Sequence, residues 1–418
     1  MKLVVKKNES VYFILMVLYY TNYFWGNSIS YILNQIAALL WILYYFTVCK
    51  VKDDCFYQRR MIGTLQVRWA VLPYILIDLY SIILWICRNQ LSANFSIFTR
   101  MISSTVYLII ACVIALCAFR ILGKRAIDIA FYSAVFSYVL GSVIGILIKC
   151  GPVTTIKYLC TLNASGTNAG YIMEVHAITF AFGLYAMYYL LFEQKGEKSH
   201  KLKIVLSFLM VYWGLKRIEI AAILVCLAIY YLCTKKGDYF AYKSKFIAMI
   251  TLIVSYVFIF FVHNDKIVEL ASKYGIDFSG RLGTWSYMIR YSSFSPAFMG
   301  LGYQYVDKTI EGLRAKGLKT GNALIIRGLH SDTLKLYMEL GFLMFTIWII
   351  YMLFTRTALI RKRIGVSYAN VYLILSCYMF ILYLTDNVYA YYSPLMTFLL
   401  ICMACNPDEK GGGNIAEN

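Results

Sequence analysis

Five short polar motifs interrupt the apolar sequence of this 418-residue chain, and each puts side chains able to bind or transfer a group beside an apolar run. The first is Ser279-Gly280-Arg281-Leu282-Gly283-Thr284-Trp285. With Ser279 as a cap, a short helix here sets Arg281, Trp285 and Met288 on one face at i, i+4 and i+7, a cation beside an aromatic plate. The competing reading is an interfacial helix whose Arg meets lipid phosphate and whose Trp sits in the headgroup belt. The second motif, Arg327-Gly328-Leu329-His330-Ser331-Asp332, runs into an apolar helix that starts at Thr333. On that helix Asp332, Lys335 and Glu339 share a face, with Lys335 and Glu339 as an i, i+4 pair. His330 precedes it at the water boundary, where an imidazole can serve as a proton acceptor, although hydrogen-bonded structure is the plainer role for a lone His. Lys216-Arg217-Ile218-Glu219, Glu174 with His176, and Asp386-Asn387 complete the set. Gly300-Leu301-Gly302-Tyr303 lacks the strand and third glycine of a dinucleotide fingerprint and reads as a tight turn.

Those motifs need a scaffold, and composition says which kind. Hydrophobic residues make up 61% of the chain and charged ones 15%, against about 45–50% and about 25% in soluble domains, which argues against a soluble enzyme or a nucleic-acid binder. The net charge of +19, from 40 basic and 21 acidic residues, then marks topology on a membrane protein and needs no nucleic-acid partner. The pattern predicts an all-α, polytopic integral membrane protein of about 12 transmembrane helices, near 10–25, 29–49, 69–87, 101–119, 129–149, 171–192, 203–215, 218–234, 246–263, 333–355, 367–385 and 388–405. The first segment lacks a small-residue cleavage site and reads as a signal anchor. Basic residues collect in alternate connections, from Lys50 to Arg68, Arg120 to Arg125, Lys195 to Lys203, Lys235 to Lys245 and Arg356 to Arg363, which places both termini in the cytoplasm. One connection, 264–330, forms a long extracytoplasmic loop whose mixed charge, aromatic residues and helical periodicity predict short helices. Residues 1–405 are then one membrane domain and 406–418 a disordered cytoplasmic tail. Most of the 12 cysteines lie in apolar runs as small hydrophobes. Cys150 and Cys160 face an oxidising exterior, where spacing leaves a disulfide open, and Cys402 and Cys405 lack the second pair a zinc site needs.

In chain order, Lys216-Arg217 between two spans, the long loop with Gly280-Arg281 and Trp285, Gly300-Leu301-Gly302, and His330-Ser331 followed by Glu339 and Gly341 form a set that resembles the bacterial O-antigen and capsular polysaccharide polymerase and O-antigen ligase superfamily. The resemblance implies glycan transfer from an undecaprenyl-pyrophosphate-linked oligosaccharide at the outer face of the bacterial cytoplasmic membrane, an inverting reaction without nucleotide sugar, metal or other cofactor. Within it Arg217 and Arg281 match the two arginine motifs and His330 the histidine. Arginine forks grip pyrophosphate oxygens and stabilise charge as the anomeric carbon–oxygen bond breaks, while a base takes the proton of the acceptor hydroxyl. Substrate-binding positions are expected at Lys216, Glu174, Arg290, Arg327 and Asp386, with Trp285, Tyr303 and Tyr337 as plates for sugar rings. Lys216-Arg217 stands where ligases carry Ser-Arg, and His330-Ser331 where His-Asn is common. With Glu174 and His176, and with Asp386-Asn387, these departures favour a polymerase that extends lipid-linked repeats over a ligase. A chain-length regulator and a flippase are the implied protein partners, beside the lipid bilayer.

Two other classes fit the composition. A flippase for the same lipid-linked oligosaccharide would carry ionisable residues along a mid-membrane path and paired repeats, whereas the polar motifs here gather at one side with one asymmetric loop. An acyltransferase would place its His or acid at the cytoplasmic side, where His200 is the one candidate and lies in a Lys-rich loop. Glu219, Asp332 and Glu339 fit either catalysis or structural pairing.

Overall fold

A computed structural model describes residues 7–21, 27–48, 54–162, 172, 176–193, 199–214, 216–234, 240–275, 281–317, 319–320, 324–325 and 328–405. Glu174, Ser279, Gly280, Arg327 and the tail 406–418, all singled out above, lie outside the described residues.

Each of the twelve apolar segments contains helix, since a backbone without water must satisfy its polar groups internally. The first half comprises α1 (Lys7–Tyr19), α2 (Asn27–Val48), α3 (Asp54–Cys87), α4 (Phe95–Leu122), α5 (Arg125–Tyr138), α6 (Ile144–Thr161) and α7 (His176–Leu191). Then follow α8 (His200–Trp213), α9 (Arg217–Thr234) and α10 (Ser244–His263). Six helical stretches are long and apolar enough to cross a membrane: Tyr57–Cys87, Phe95–Leu122, Arg125–Thr161, Phe240–His263, Asp332–Arg363 and Val366–Thr385. Shorter apolar helices, Ile32–Val48, Ala177–Leu191 and Tyr392–Ala404, accompany them. The outward faces carry Leu39, Leu43 and Phe46 on α2 and Phe246, Ile253 and Val257 on α10, an exposed apolar belt of the kind that lipid covers. The chain is a helical membrane protein.

Several helices overrun their apolar windows. α5 continues through a π turn at Val139–Val143 into α6, so residues 150–161 are helical where a connection was expected. Gly151, at φ 80, bends α6 ahead of Pro152, and Cys150 and Cys160 are both free thiols.

The 264–330 connection folds as α11 (Lys266–Tyr274), α12 (Arg281–Met288) and α13 (Tyr305–Ala315), with a two-residue antiparallel ladder pairing Lys319 with Ile325 and Thr320 with Leu324. It leads into α14 (Asp332–Ile350), a π turn at Tyr351–Thr355 and α15 (Arg356–Arg363), then α16 (Val366–Thr385) and α17 (Tyr392–Ala404). α16 is apolar all round and accordingly central, packing on α7, α9, α10, α14, α15 and α17.

Gly300-Leu301-Gly302 does more than turn. α14 breaks at Gly341, whose φ is 74, and the carbonyls freed there accept hydrogen bonds from the loop: Leu301 N to Met338 O at 3.0 Å and Gly302 N to Glu339 O at 2.9 Å. Phe342 N donates back to Phe298 O at 2.8 Å. A Cβ on Gly300 would sit 2.5 Å from Gly341 N and Leu340 C, so both glycines are needed for two backbones to touch. Trp85 Nε1 to Leu301 O at 2.9 Å and Arg88 Nη1 to Gly300 O at 2.8 Å tie the same segment to the C-terminal end of α3.

Candidate functional site

α16 ends at Thr385, and Asp386 turns extended, with its N–H on Leu382 O at 2.9 Å. Alongside runs the segment 328–331, which ends as Ser331 caps α14 by accepting from Leu334 N at 3.2 Å. Asp332 clasps the two strips together. Its N–H donates to Asp386 O at 3.1 Å, and its Oδ2 accepts from Val388 N and, at 2.6 Å, from Tyr389 N. Trp285 braces the strip from the other side, donating from Nε1 to Leu329 O at 2.5 Å. Held between these anchors, His330 adopts a left-handed backbone at φ 50, a conformation that costs on the order of 1–3 kcal/mol and gathers at functional sites.

Three cationic or basic groups then converge on Asp386. Lys216 Nζ, from just before α9, lies 3.8 Å from Oδ2; Arg281 Nη2, from the first residue of α12, lies 3.8 Å from the same oxygen; His330 Nδ1 lies 3.9 Å from Oδ1. These separations are Coulombic contacts rather than hydrogen bonds. Arg281 is placed by a separate bond, Nη1 to Thr385 O at 2.5 Å, and Lys216 by the face of Phe180, 5.6 Å from the ring centre. Asp386 and Lys216 are sealed, with side chains 2% and 4% exposed, whereas Arg281 at 23% and His330 at 28% are partly exposed. The cluster therefore has a buried floor and an accessible rim. Chemically it offers an anion one accessible guanidinium backed by a buried ammonium, and offers a hydroxyl one imidazole.

Other expected residues fall elsewhere. Arg217 is exposed, while its neighbour Lys216 turns inward. Arg290 is also exposed, its guanidinium 5.9 Å from the Tyr287 ring centre. Trp285, Tyr303 and Tyr337, expected as sugar plates, are 0%, 1% and 0% exposed and cannot stack on a ligand. Trp285 packs edge-on to Phe258 at 5.5 Å, Tyr303 edge-on to Tyr389 at 6.4 Å, and the Tyr337 hydroxyl donates to Ser293 O at 2.8 Å. Burial pushes the Tyr303 phenol up to about 12, against the opposing pull of nearby Lys335, so it stays neutral at working pH.

The other acidic residues make contacts within the fold. Lys335 pairs with Asp307 at 2.5 Å rather than with Glu339, whose Oε1 accepts from Val306 N at 3.2 Å and so binds the start of α13 to α14. Glu219, fully buried in α9, accepts from the Tyr378 hydroxyl at 3.0 Å. Asp307 was missed in the sequence because a lone acid in a polar loop carries no periodic signal. His200 lies 2.6 Å from Glu193, within a partly buried ion network that also joins Lys203 and Asp128.

Compared with known proteins, the sequence matches no family model, no curated protein and no solved structure. Fold and site together define a polytopic α-helical membrane protein with two cationic side chains and an imidazole gathered on one buried carboxylate.

Proposed function

We propose that this protein is a polysaccharide polymerase that joins undecaprenyl-pyrophosphate-linked oligosaccharide repeats at the outer face of the bacterial cytoplasmic membrane. The observation that carries the reading is the convergence of Lys216, Arg281 and His330, from three separate segments, on Asp386. In this reading the chain crosses the bilayer twelve times with both termini inside, and the 264–330 loop roofs the site on the outside.

Arg281 holds the donor's pyrophosphate at the rim, while the sealed Lys216 balances the Asp386 carboxylate beneath it and adds its charge to the field. His330 accepts the proton of the acceptor sugar hydroxyl as its oxygen attacks the anomeric carbon from the face opposite the leaving group. The new glycosidic carbon–oxygen bond forms, the anomeric carbon–phosphate oxygen bond breaks, and the lipid pyrophosphate departs with the electron pair as its charge is met by the cations. Arg217, on the exposed start of α9, serves donor approach rather than chemistry. A ligase would share all of this donor chemistry and differ in acceptor; the accessible imidazole favours transfer over a flippase, which breaks and makes no bond.

In cells that depend on this protein for their polymer, His330→Ala and Asp386→Ala should each abolish long-chain product while membrane levels of the protein stay normal. Long-chain product from both variants would rule the site out.

A further inference from the structure

Four cations meet where α3 begins and α4 turns into α5. Arg59 and Arg60 stand in the second turn of α3, Arg120 near the end of α4, and Lys124 in the turn that follows. Two contacts fix the arrangement. Arg120 Nη2 donates to Thr64 Oγ1 of α3 at 2.8 Å and its Nη1 to the Tyr45 hydroxyl of α2 at 2.7 Å, so one guanidinium joins three helices. Arg59 lies over Gly123, whose φ is 58: a Cβ there would stand 2.9 Å from Arg59 Cζ. The turn thus stays bare where the arginine rests. Lys124 follows directly, and Arg60 shares a face of α3 with Tyr57, Met61 and Thr64.

No acid neutralises this group. Among the described residues none of the four pairs with a carboxylate; Glu9 is taken by Arg125 at 2.9 Å and Asp128 by Lys203 at 3.0 Å. All four are within reach of a ligand, since Arg60 and Lys124 are exposed and Arg59 and Arg120 partly so. The level is that of headgroups: α3 has 34 residues, about 51 Å of helix against about 30 Å of hydrocarbon, so its first turns stand clear of the acyl core. α2 and α3 both pack on α4, and Arg120 spans from one to the other. Exposed apolar side chains stand beside the cations, Phe46 next to Tyr45 on α2 and Met61 next to Arg60 on α3. A soluble anion has no use for such neighbours, whereas a phospholipid brings phosphate and hydrocarbon together.

We propose that this corner holds one anionic phospholipid, its phosphate met by Arg59, Arg60 and Lys124, with Arg120 adding charge from beneath and the acyl chains lying along Phe46 and Met61. The site is at the opposite end of α3 from Trp85 and Arg88, which hold the Gly300 loop, and does not depend on the proposed reaction. The lipid relieves repulsion among cations that the packing of α3 on α4 forces together.

The test titrates purified, delipidated full-length protein in detergent with palmitoyl-oleoyl phosphatidylglycerol, or with phosphatidylcholine of the same chains, and reads lipid adducts by native mass spectrometry. Phosphatidylglycerol should fill one saturable site on the wild type that phosphatidylcholine does not fill. Arg60→Gln with Lys124→Gln should weaken that binding by about tenfold or more, and Arg59→Gln should weaken it independently. Lys362→Gln with Arg363→Gln removes the same charge from exposed positions on α15 and should leave the affinity at the wild-type value. Equal binding of the two lipids, unchanged affinity in Arg60→Gln with Lys124→Gln, or equal weakening in both double variants would overturn the site. Displacement of the lipid by millimolar glycerol 3-phosphate would assign the corner to a soluble phosphate and overturn the lipid assignment.

Discussion

At Asp386 one carboxylate faces Lys216, Arg281 and His330 at 3.8–3.9 Å and accepts a hydrogen bond from Asn387 N at 3.2 Å. Arg281 is the rim cation, and its geometry depends on the fork, because one nitrogen reaches Thr385 O while another faces Asp386. Arg281→Lys keeps the charge and loses that division of labour; polymer formation in isolated membranes should fall by about tenfold or more, equivalent to ~1.4 kcal/mol of lost transition-state stabilisation. Trp285 acts through His330. Trp285→Phe keeps the ring against Phe258 and removes the bond to Leu329 O, worth about 1 kcal/mol, so turnover should drop roughly fivefold with donor KM unchanged. A parallel rise in KM would instead place Trp285 in substrate binding. Arg281, His330 and Asp386 were legible as polar interruptions at the ends of apolar runs. The choice between Lys216 and Arg217 was not, because consecutive helical residues point about 100° apart and only the folded phase decides which turns inward.

Close backbone approach decides the geometry at the scale of elements. The break in α14 at Gly341 and the loop segment at Gly300 exist for each other, since each supplies the hydrogen bonds that the other's conformation leaves unmet. Gly341→Ala adds a Cβ against backbone atoms at a φ of 74, and strain of this kind costs roughly 1–3 kcal/mol before the clash is counted. Folded protein recovered from membranes should fall, with a lowered unfolding temperature; Leu301→Ala, which leaves both backbones free to touch, should be recovered normally. Hydropathy and periodicity found the helices, because burial in lipid or protein acts on every turn. They did not find the kink, the π turns or the helical extension to Thr161, which depend on contacts between segments far apart in sequence. The long loop was legible as ordered, but what holds it on, Asp307 to Lys335 and Glu339 to the start of α13, appears only in three dimensions.

For the whole molecule, the apolar composition and outward-facing belt establish a membrane protein, and the twelve-span orientation built on them makes a prediction of its own. A membrane-impermeant maleimide added to intact cells should label Lys316→Cys, beside α13, and leave Lys245→Cys, at the start of α10, unlabelled in a background without other reactive thiols; both positions are exposed. Labelling of Lys245→Cys alone would invert the topology and remove the site from the side where its substrate is proposed to lie. Composition carried the membrane assignment, because apolar content is summed over the whole chain and survives local errors; the orientation rests on charge bias, to which Arg356 contributes although it lies buried. The central claim is that the Asp386 cluster makes glycosidic bonds between lipid-linked repeats. Its most direct test reconstitutes the purified protein in vesicles with a synthetic lipid-pyrophosphate oligosaccharide and resolves the products by length. A ladder of lipid-linked products is expected from the wild type and none from Arg281→Ala or His330→Ala; movement of the substrate across the bilayer with no new glycosidic bond would contradict it.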